Sequence, residues 1–470
     1  MRGMGLFLRD NIEAFAVAIA MALVIRHYCV EAFRIPTGSM MPTLYGDNKP
    51  GEPRRHGDRI LVDKFAWMRD DPQRWQVMVF QYPLNRNKNF IKRLIGLPDE
   101  WLATADGDIW TSKDGETWKI ERKPPGVRDR LFFPYWPEPT DGPSFQGSPC
   151  WAGDSDWSFD ADTLSVDSGE KPASYQFARA VLTYGDVDRR GRIGRGEVEV
   201  GDIRFRASVD VEREGDLEIR IEEHGIVHLV RLGADESYLE VGGDKPERRA
   251  LDFRIERDES FDLSFANVDD SLVLRIDGDE IVFAFPNMPT SPPGIGPDYG
   301  IEHRDSDANG LTLVAEGLKA VFSDARVERD LHYVRSSGQT ASKWQIPAGH
   351  YFALGDNTQS SKDSREWKLD TITLMDGTMI EWEPETRSAP PPNATLDQLN
   401  LMGPDEAFVI LEDKNGLRRE FRAGDVADTQ SRVPSPFIPA DHLIGRAFGV
   451  FWPIYVPPAY RGATRIKLIR

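Results

Sequence analysis

A serine and a lysine in the first hundred residues have neighbours that could support nucleophilic catalysis. Ser39 lies in the glycine-containing sequence Ile-Pro-Thr-Gly-Ser-Met-Met-Pro-Thr-Leu, and Lys92 lies in the largely apolar sequence Phe-Ile-Lys-Arg. A serine hydroxyl needs a base within hydrogen-bonding distance to become a good nucleophile. A lysine amine can be that base only if burial lowers its pKa by several units. The residues predict a serine nucleophile activated by a lysine, with the Ser39 backbone N–H and the Thr37 hydroxyl as oxyanion donors.

An apolar segment precedes the serine. Residues 12–25 contain a single charged residue, and as a helix they would span about 21 Å, less than the ~30 Å of a bilayer core. Extension to Val30 gives a spanning length, so we expect a transmembrane helix over residues 12–30. Arg2 and Arg9 favour a cytoplasmic N-terminus for residues 1–11. The alternative is a cleaved signal peptide that ends in Ala-Met-Ala. Ser39 follows Val30 by only nine positions, which favours the anchor because the serine would stay near the bilayer.

Length and composition exclude several classes of protein. A chain of 470 residues predicts two or three domains. The net charge of −19 argues against sequence-independent nucleic-acid binding and fits simple solubility. Cys29 and Cys150 are the two cysteines, so no disulfide framework is indicated. The sequence shows no Cys/His cluster with zinc spacing, and it therefore supports no metal site.

Strand patterns surround the lysine. Short apolar runs separated by prolines over residues 57–97 predict a series of strands. Alternation places Lys92 on the same strand face as Phe90, and Arg93 on the other face with Ile91. This pattern alone does not decide which cation is buried. Lysine is favoured, because its pKa can fall on burial whereas arginine stays charged.

The remaining chain alternates between irregular and strand-rich segments. Residues 101–150 are rich in Trp, Pro and Gly and are expected to form an irregular extension. Residues 151–333 consist of alternating runs with turn signals, among them Asp277-Gly278, which predict an antiparallel β-sandwich. Apolar patterning returns in residues 334–367 and 435–470. Residues 368–434 are expected to be a second insertion with a linker-like break near Ser388–Asn393.

Five segments in order resemble the conserved boxes of bacterial type I signal (leader) peptidases. The segment 35–44 is similar to the serine-bearing box and the segment 90–98 to the lysine-bearing box. The segment 355–365, Gly-Asp-Asn-Thr-Gln-Ser-Ser-Lys-Asp-Ser-Arg, is similar to a late box of the family. Residues 57–62 and 443–447 match in character. The likeness covers roughly residues 5–100, 340–367 and 435–455.

The resemblance implies a role for each residue that matches a box. It implies Ser39 as nucleophile, Lys92 as general base, Thr37 as an oxyanion donor and Ser361 as the residue that orients the lysine.

The resemblance also implies a structural ion pair and a substrate pocket. The pair is Asp363 with Arg365. The pocket would be shallow, selecting small side chains at an Ala-x-Ala cleavage site, and its walls would be Ile35, Pro36, Met40, Leu44, Phe90 and Ile91.

The strand-rich insertion loosely resembles a laminin-G-like, concanavalin-type jelly-roll domain. Residues 272–283 and 311–333 carry the likeness. Such domains often bind glycans or proteins, but the sequence identifies no ligand. Solvated strand faces explain the many acidic residues there better than a metal site does.

These expectations combine into one hypothesis. The fold is mainly β, with an N-terminal transmembrane helix (12–30), an antiparallel catalytic core (31–100, 334–367, 435–470) and the inserted sandwich. The function implied by the resemblance is a membrane-bound serine endopeptidase that removes signal peptides from exported preproteins. It would be a single-pass protein of the cytoplasmic membrane with its body on the outer side, contacting lipid and needing no cofactor.

Two alternatives remain. A Ser–Lys self-cleaving repressor-type protease would have a DNA-binding helical domain and no membrane span, the reverse of this sequence. A membrane-anchored binding protein would use an inactive peptidase core to display the sandwich.

Overall fold

The computed structural model describes residues 11–12, 14–21, 29–47, 57–137, 150–187, 193–285, 292, 310–334, 342–383, 408–452 and 467–469. Antiparallel strands dominate this part of the chain, so the prediction of a mainly β protein is confirmed. Short helices span Ala66–Arg69 and Pro125–Leu131, and 3₁₀ turns span Ala423–Asp425 and Ala440–His442.

The strands are numbered in chain order. The first group is β1 Val30–Arg34, β2 Arg59–Asp63, β3 Val77–Tyr82, β4 Asn85–Gly96, β5 Glu100–Ala105, β6 Asp108–Ser112, β7 Trp118–Ile120 and β8 Phe133–Trp136. The second group is β9 Trp151–Gly153, β10 Trp157–Asp160, β11 Thr163–Asp167, β12 Ala173–Phe177, β13 Leu182–Val187, β14 Ile193–Glu199, β15 Ile203–Arg213, β16 Asp216–Glu223, β17 Ile226–Leu232, β18 Ser237–Val241, β19 Glu247–Leu251, β20 Ser260–Asn267, β21 Ser271–Ile276, β22 Asp279–Ala284, β23 Gly310–Glu316 and β24 Lys319–Arg329. The third group is β25 Lys343–Ile346, β26 His350–Leu354, β27 Lys368–Leu374, β28 Met379–Trp382, β29 Phe408–Glu412, β30 Arg418–Arg422, β31 Val426–Pro434, β32 Ile438–Pro439, β33 Leu443–Trp452 and β34 Lys467–Leu468.

One sheet unites the beginning and the end of the chain. Its strand order is β1-β2-β33-β3-β4-β26-β32, with β34 paired to β33. Strand β3 (Val-Met-Val-Phe-Gln-Tyr) is apolar on both faces, because Val77 and Val79 pack in one cluster and Met78 and Phe80 in another. The two insertions therefore leave and rejoin this sheet without interrupting it, the first between β4 and β26 and the second between β26 and β32.

The N-terminal segment differs from the prediction of one helix over residues 12–30. Residues 11–12 and 14–21 are helical, but Val30–Arg34 is a strand that pairs in antiparallel register with Arg59–Asp63. A helix cannot extend to Val30 because that residue already pairs with Asp63 in the sheet. Within the ranges described above, no helix is both long and apolar enough to cross a membrane.

The tract predicted to be an irregular extension is largely regular. Strands β25, β5, β6 and β7 form a four-stranded sheet. Trp110 and Trp118 pack on one of its faces, whereas Leu102, Ile109 and Trp344 pack on the other. The aromatic residues that obscure the alternation in the sequence are thus the ones that stabilise the sheet, since each buries a large apolar area.

The large insertion is a β-sandwich of two antiparallel sheets. One has the order β10-β11-β24-β15-β20-β21-β22 with β8 beside β24, and the other the order β19-β18-β17-β16-β23-β12-β9. Side chains of both sheets form one core cluster, in which Phe205 and Phe322 meet Ile219 and Leu313. The predicted hairpin is present, with positive φ at Asp277 and Gly278 as a type I′ turn requires. Strand β8 extends the sandwich to residues before the predicted start at 151.

The second insertion contains two small sheets. Strands β28, β27 and β31 form one, and β29 and β30 form a hairpin. Ile372, Ile380 and Phe421 share a small core between them. The predicted break at Ser388–Asn393 lies outside the described residues.

Candidate active site

Ser39 and Lys92 contact each other at the sheet that unites the beginning and the end of the chain. Ser39 lies in the loop after β1, and Lys92 lies in the middle of β4. Lys92 Nζ is 2.5 Å from Ser39 Oγ, a hydrogen-bonding distance. Only 3% of Lys92 is exposed, whereas Ser39 is half-buried and therefore accessible from solvent. The structure thus brings together the two side chains whose chemistry the sequence singles out.

The surroundings of Lys92 favour its neutral form. Burial lowers the pKa of Lys92 from the ordinary value of 10.5 to about 8, against the attraction of the Asp363 and Asp356 carboxylates and with some help from Arg365. The amine lies 5.7 Å from the centre of the Phe90 ring, on the strand face that the alternation predicts. With this pKa, about a tenth of the amine is unprotonated at pH 7.

Arg93 is buried as well as Lys92. The alternation of the strand had left open which of these two cations is buried. Only 1% of this side chain is exposed. Its guanidinium pairs with Asp356 through contacts of 2.8 Å (Nε–Oδ1) and 2.5 Å (Nη2–Oδ2), and it donates to the Trp75 carbonyl. A charged arginine is tolerated on this face because its fork matches the carboxylate in a bidentate pair.

Asp363 and Arg365 form a second buried pair beneath the lysine. Two contacts of 2.8 Å join the guanidinium to the carboxylate, and neither side chain is exposed. Burial alone would raise the pKa of Asp363, but the Arg365 charge and its hydrogen bonds, with the Gly355 N–H, hold that pKa below its ordinary value. Asp363 therefore stays ionised close to Lys92.

The loop after β26 holds the serine turn, a contact that the sequence interpretation did not assign. The Asn357 N–H donates to the Ser39 carbonyl at 3.1 Å, and Asn357 Nδ2 donates to the Gly38 carbonyl at 3.2 Å. Gly355 lies so close to the serine turn that a Cβ at this position would collide with Ser361 Oγ and the Ser39 carbonyl oxygen. In the sequence, Asn357 is marked only by its place in Gly-Asp-Asn, and this motif does not show which residues its backbone and side-chain amides contact.

The two residues expected to assist the pair differ in position. Thr37 Oγ1 lies 3.4 Å from Ser39 Oγ on the exposed side of the turn. The Ser39 backbone N–H donates to no acceptor among the described residues. Ser361 is buried, but within the same residues its hydroxyl has no hydrogen-bond partner. It therefore makes no hydrogen bond to Lys92 in this structure, and its role in orienting the amine stays a prediction.

Most of the predicted pocket residues belong to the core instead of an open wall. Ile35, Met40 and Leu44 are buried in one cluster with Ile91, so they support the serine turn from below. In this structure these four side chains are not exposed, and the prediction that they contact a substrate stays a prediction. Burial follows from the sheet, which covers these side chains with β2, β3 and β33.

The other two predicted pocket residues lie elsewhere. Phe90 is on the same face of β4 as Lys92 and opposite to Ile91, and its ring stacks on Tyr82 at 4.0 Å between centres and packs edge-on against Trp367. Pro36 is exposed beside the turn. Of the six, Pro36 is therefore the one with an open surface next to Ser39.

Comparison with known proteins agrees with this geometry. Residues 8–120 and 301–379 match the family described as "Signal peptidase, peptidase S26". Signal peptidase I of Pseudomonas aeruginosa is 42% identical over 128 residues, which are 24% of this chain and 42% of that protein. The resemblance to signal peptidase I is confirmed. Signal peptidase I of Leptolyngbya laminosa is 28% identical over 197 residues, which are 40% of this chain and 84% of that protein. The chain spans less than half the length of the first curated signal peptidases that it matches.

Two solved structures with some likeness are a carbohydrate-binding module and a lumenal domain. The carbohydrate-binding module CBM66 from Bacillus subtilis is 9% identical with a TM-score of 0.26, over 38% of this chain and 95% of that one. The exoplasmic/lumenal domain of VIP36 is 11% identical with a TM-score of 0.26, over 41% of this chain and 88% of that one. At this level of similarity, nothing is carried over from either protein.

Proposed function

We propose that the protein is a membrane-bound serine endopeptidase that removes N-terminal signal peptides from exported preproteins. The observation that carries the proposal is the 2.5 Å contact between Lys92 Nζ and Ser39 Oγ, made by two segments that match the signal peptidase family. The lowered pKa of Lys92 supports the same role, since a base must be unprotonated to accept a proton.

Acylation would begin with the neutral amine. Lys92 accepts the Ser39 hydroxyl proton while Oγ attacks the carbonyl carbon of the scissile peptide bond. The free Ser39 N–H and the Thr37 hydroxyl are placed to donate to the resulting oxyanion. The ammonium then protonates the leaving amine of the mature protein, and the signal peptide remains as an ester on Ser39.

Deacylation would use the same groups. The regenerated neutral amine of Lys92 takes a proton from water, which attacks the carbonyl carbon of the ester. As the bond from this carbon to Ser39 Oγ breaks, the Lys92 ammonium returns the proton to Oγ, and the signal peptide leaves as the acid. Ser361 lies buried beside the turn with an unsatisfied hydroxyl, and its proposed role is to orient the amine when Lys92 turns away from Ser39. Asp363 and Arg365 would fix the floor of the site.

The substrate would present small side chains at the cleavage site. The exposed surface of Pro36 beside the accessible serine supports a shallow contact instead of a deep pocket. Ile35, Met40, Leu44 and Ile91 would act from below by holding the turn in place.

Membrane attachment would come from the N-terminal segment. Phe15 is 70% exposed and Val17 59% exposed in its helical part, so large apolar side chains are left for lipid to cover. Strand β1 begins soon after, which keeps the serine turn near the attachment point. We propose a single-pass anchor with the N-terminus in the cytoplasm and the body on the outer face.

The decisive experiment is cleavage of a purified precursor whose signal peptide ends in Ala-x-Ala. The wild-type protein should release the mature product, and Ser39→Ala should not. Ser360→Ala is the matched control, because this exposed serine lies in the neighbouring loop and should leave cleavage unchanged. A folded wild-type protein that fails to cleave would favour the alternative, a binding protein with an inactive core.

A further inference from the structure

Acidic side chains from three distant parts of the chain meet between the four-stranded sheet and the sandwich. Asp108 is the first residue of β6, Asp202 precedes β15, and Asp269 lies in the turn between β20 and β21. One carboxylate oxygen of each lies within 4.8 Å of those of the other two. Asp108 and Asp202 are half-buried, and Asp269 is buried. The group therefore lies at the junction of the two units and opens partly to solvent.

The positive charge beside this acidic cluster does not neutralise the negative charge of its carboxylates. The Lys123 ammonium contacts the Asp269 carboxylate and lies 2.6 Å from Asp330 Oδ2. Arg122 donates to the backbone carbonyls of Asp269 and Asp270 instead of to a carboxylate. One ammonium thus faces four carboxylates. Uncompensated charge in such a setting is costly, so the cluster needs either protons or a further cation.

Asp330 supplies an independent observation. Its side chain is fully buried, and its Oδ1 has no hydrogen-bond donor among the described residues. Its other oxygen contacts the ammonium that also binds Asp269, so this carboxylate is directed at the cluster. Buried carboxylate oxygens normally have a partner, and an unpaired oxygen near three further carboxylates is suited to a cation as its partner.

We propose that Asp108, Asp202 and Asp269 bind a divalent cation, Ca²⁺ in the first instance, with Asp330 adding negative charge from the buried side. The donors are all oxygens, which suit hard cations, whereas a zinc or copper site would offer nitrogen or sulfur. Ca²⁺ also accepts water and irregular geometry, which the solvent side of Asp108 and Asp202 can supply. The ion would join the inserted sandwich to the sheet that packs beside the catalytic core.

Calorimetric titration of the full chain, after chelator treatment and dialysis, tests the site with CaCl₂ and, separately, MgCl₂. We expect one saturable Ca²⁺ site per chain with a Kd on the order of 10⁻⁴ M, and a Tm that rises with the logarithm of the Ca²⁺ concentration. The absence of binding heat and of any Tm shift up to roughly 10 mM Ca²⁺ would overturn the proposal.

Variants distinguish this site from ordinary surface acids. Asp202→Asn and Asp108→Asn should each weaken Ca²⁺ binding at least about tenfold, because each removes a carboxylate ligand, and each should reduce the rise in Tm that Ca²⁺ produces. Asp279→Asn, an exposed residue of the β21–β22 hairpin, should change neither quantity. Unaltered Ca²⁺ affinity in both cluster variants would place the ion elsewhere and refute the assignment. These measurements do not involve peptidase activity.

Discussion

Replacing Lys92 by methionine should abolish cleavage and, at neutral pH, make the protein more stable. Burial lowers the pKa of Lys92 from 10.5 to about 8. Because the pKa in the folded protein lies below that in the unfolded chain, protonation favours unfolding. A shift of about 2.5 pKa units corresponds to about 3 kcal/mol of lost stability, present in full below pH 8. Methionine has a similar length and no charge, so Lys92→Met should recover up to that amount at pH 7.

The pH dependence of this stability difference tests whether burial of the Lys92 ammonium is its cause. The cost of burying the ammonium falls as the pH rises from 8 and is gone above about 10.5, where the lysine is neutral in both states. The difference in unfolding free energy between Lys92→Met and wild type should therefore shrink over this range. Urea unfolding followed by tryptophan fluorescence at pH 7 and pH 10 measures it, since Trp367 is buried in the core on the Phe90 side of β4.

A lysine elsewhere provides the control. Lys119→Met removes a charge that is 73% exposed and should change stability by no more than about 0.5 kcal/mol at either pH. Cleavage by Lys92→Met should fall to background, because no other base contacts Ser39 among the described residues. A variant that is inactive but less stable than wild type at pH 7 would refute the reasoning, since it would show that the folded protein gains from the charge.

Two further predictions concern the same site. The kcat/KM for precursor cleavage should rise about tenfold between pH 7 and pH 9, half-maximal near pH 8, because only neutral Lys92 accepts the proton; a flat profile over pH 6–9 would contradict the assignment. Gly355→Ala should destabilise the protein by roughly 1–3 kcal/mol in urea unfolding and lower kcat further than this loss explains, because the added methyl group meets Ser361 and the Ser39 carbonyl. Gly169→Ala, where a Cβ meets nothing within 4 Å, is the comparison, and equal effects in the two variants would contradict the steric argument.

The sequence was sufficient to predict the contact between Ser39 and Lys92 because local patterns indicated both residues. The turn around Ser39 and the alternation around Lys92 each indicated a conformation, and the order of the boxes indicated that they share a site. It was not sufficient for Asn357, whose amide contacts Gly38 from 319 positions away, since no local pattern encodes such a contact. The burial of Arg93 was missed for the same reason, because its partner Asp356 lies on another loop.

The errors in the fold have physical causes too. The predicted helix does not include Val30, because pairing of this residue with β2 outweighs the local preference of an apolar run. The tract after residue 100 was expected to be irregular because β5 and β6 are apolar on both faces, with Leu102 and Ile109 on one face and Trp110 on the other, so polar and apolar positions do not alternate. The acidic cluster left no trace in the sequence, since Asp108, Asp202 and Asp269 are brought together by the contact between two sheets.

The two buried arginines explain how Lys92 can lie near two carboxylates and still have a lowered pKa. Asp356 and Asp363 would each hold an ammonium tightly if they were free, and the proposed base would then stay protonated at neutral pH. Each carboxylate is instead engaged by its own guanidinium in a bidentate pair, Asp356 by Arg93 and Asp363 by Arg365. The attraction left for Lys92 is too small to offset burial. The arginine next to Lys92 and the Asp-Ser-Arg sequence beyond the insertion are therefore parts of one electrostatic arrangement around the amine.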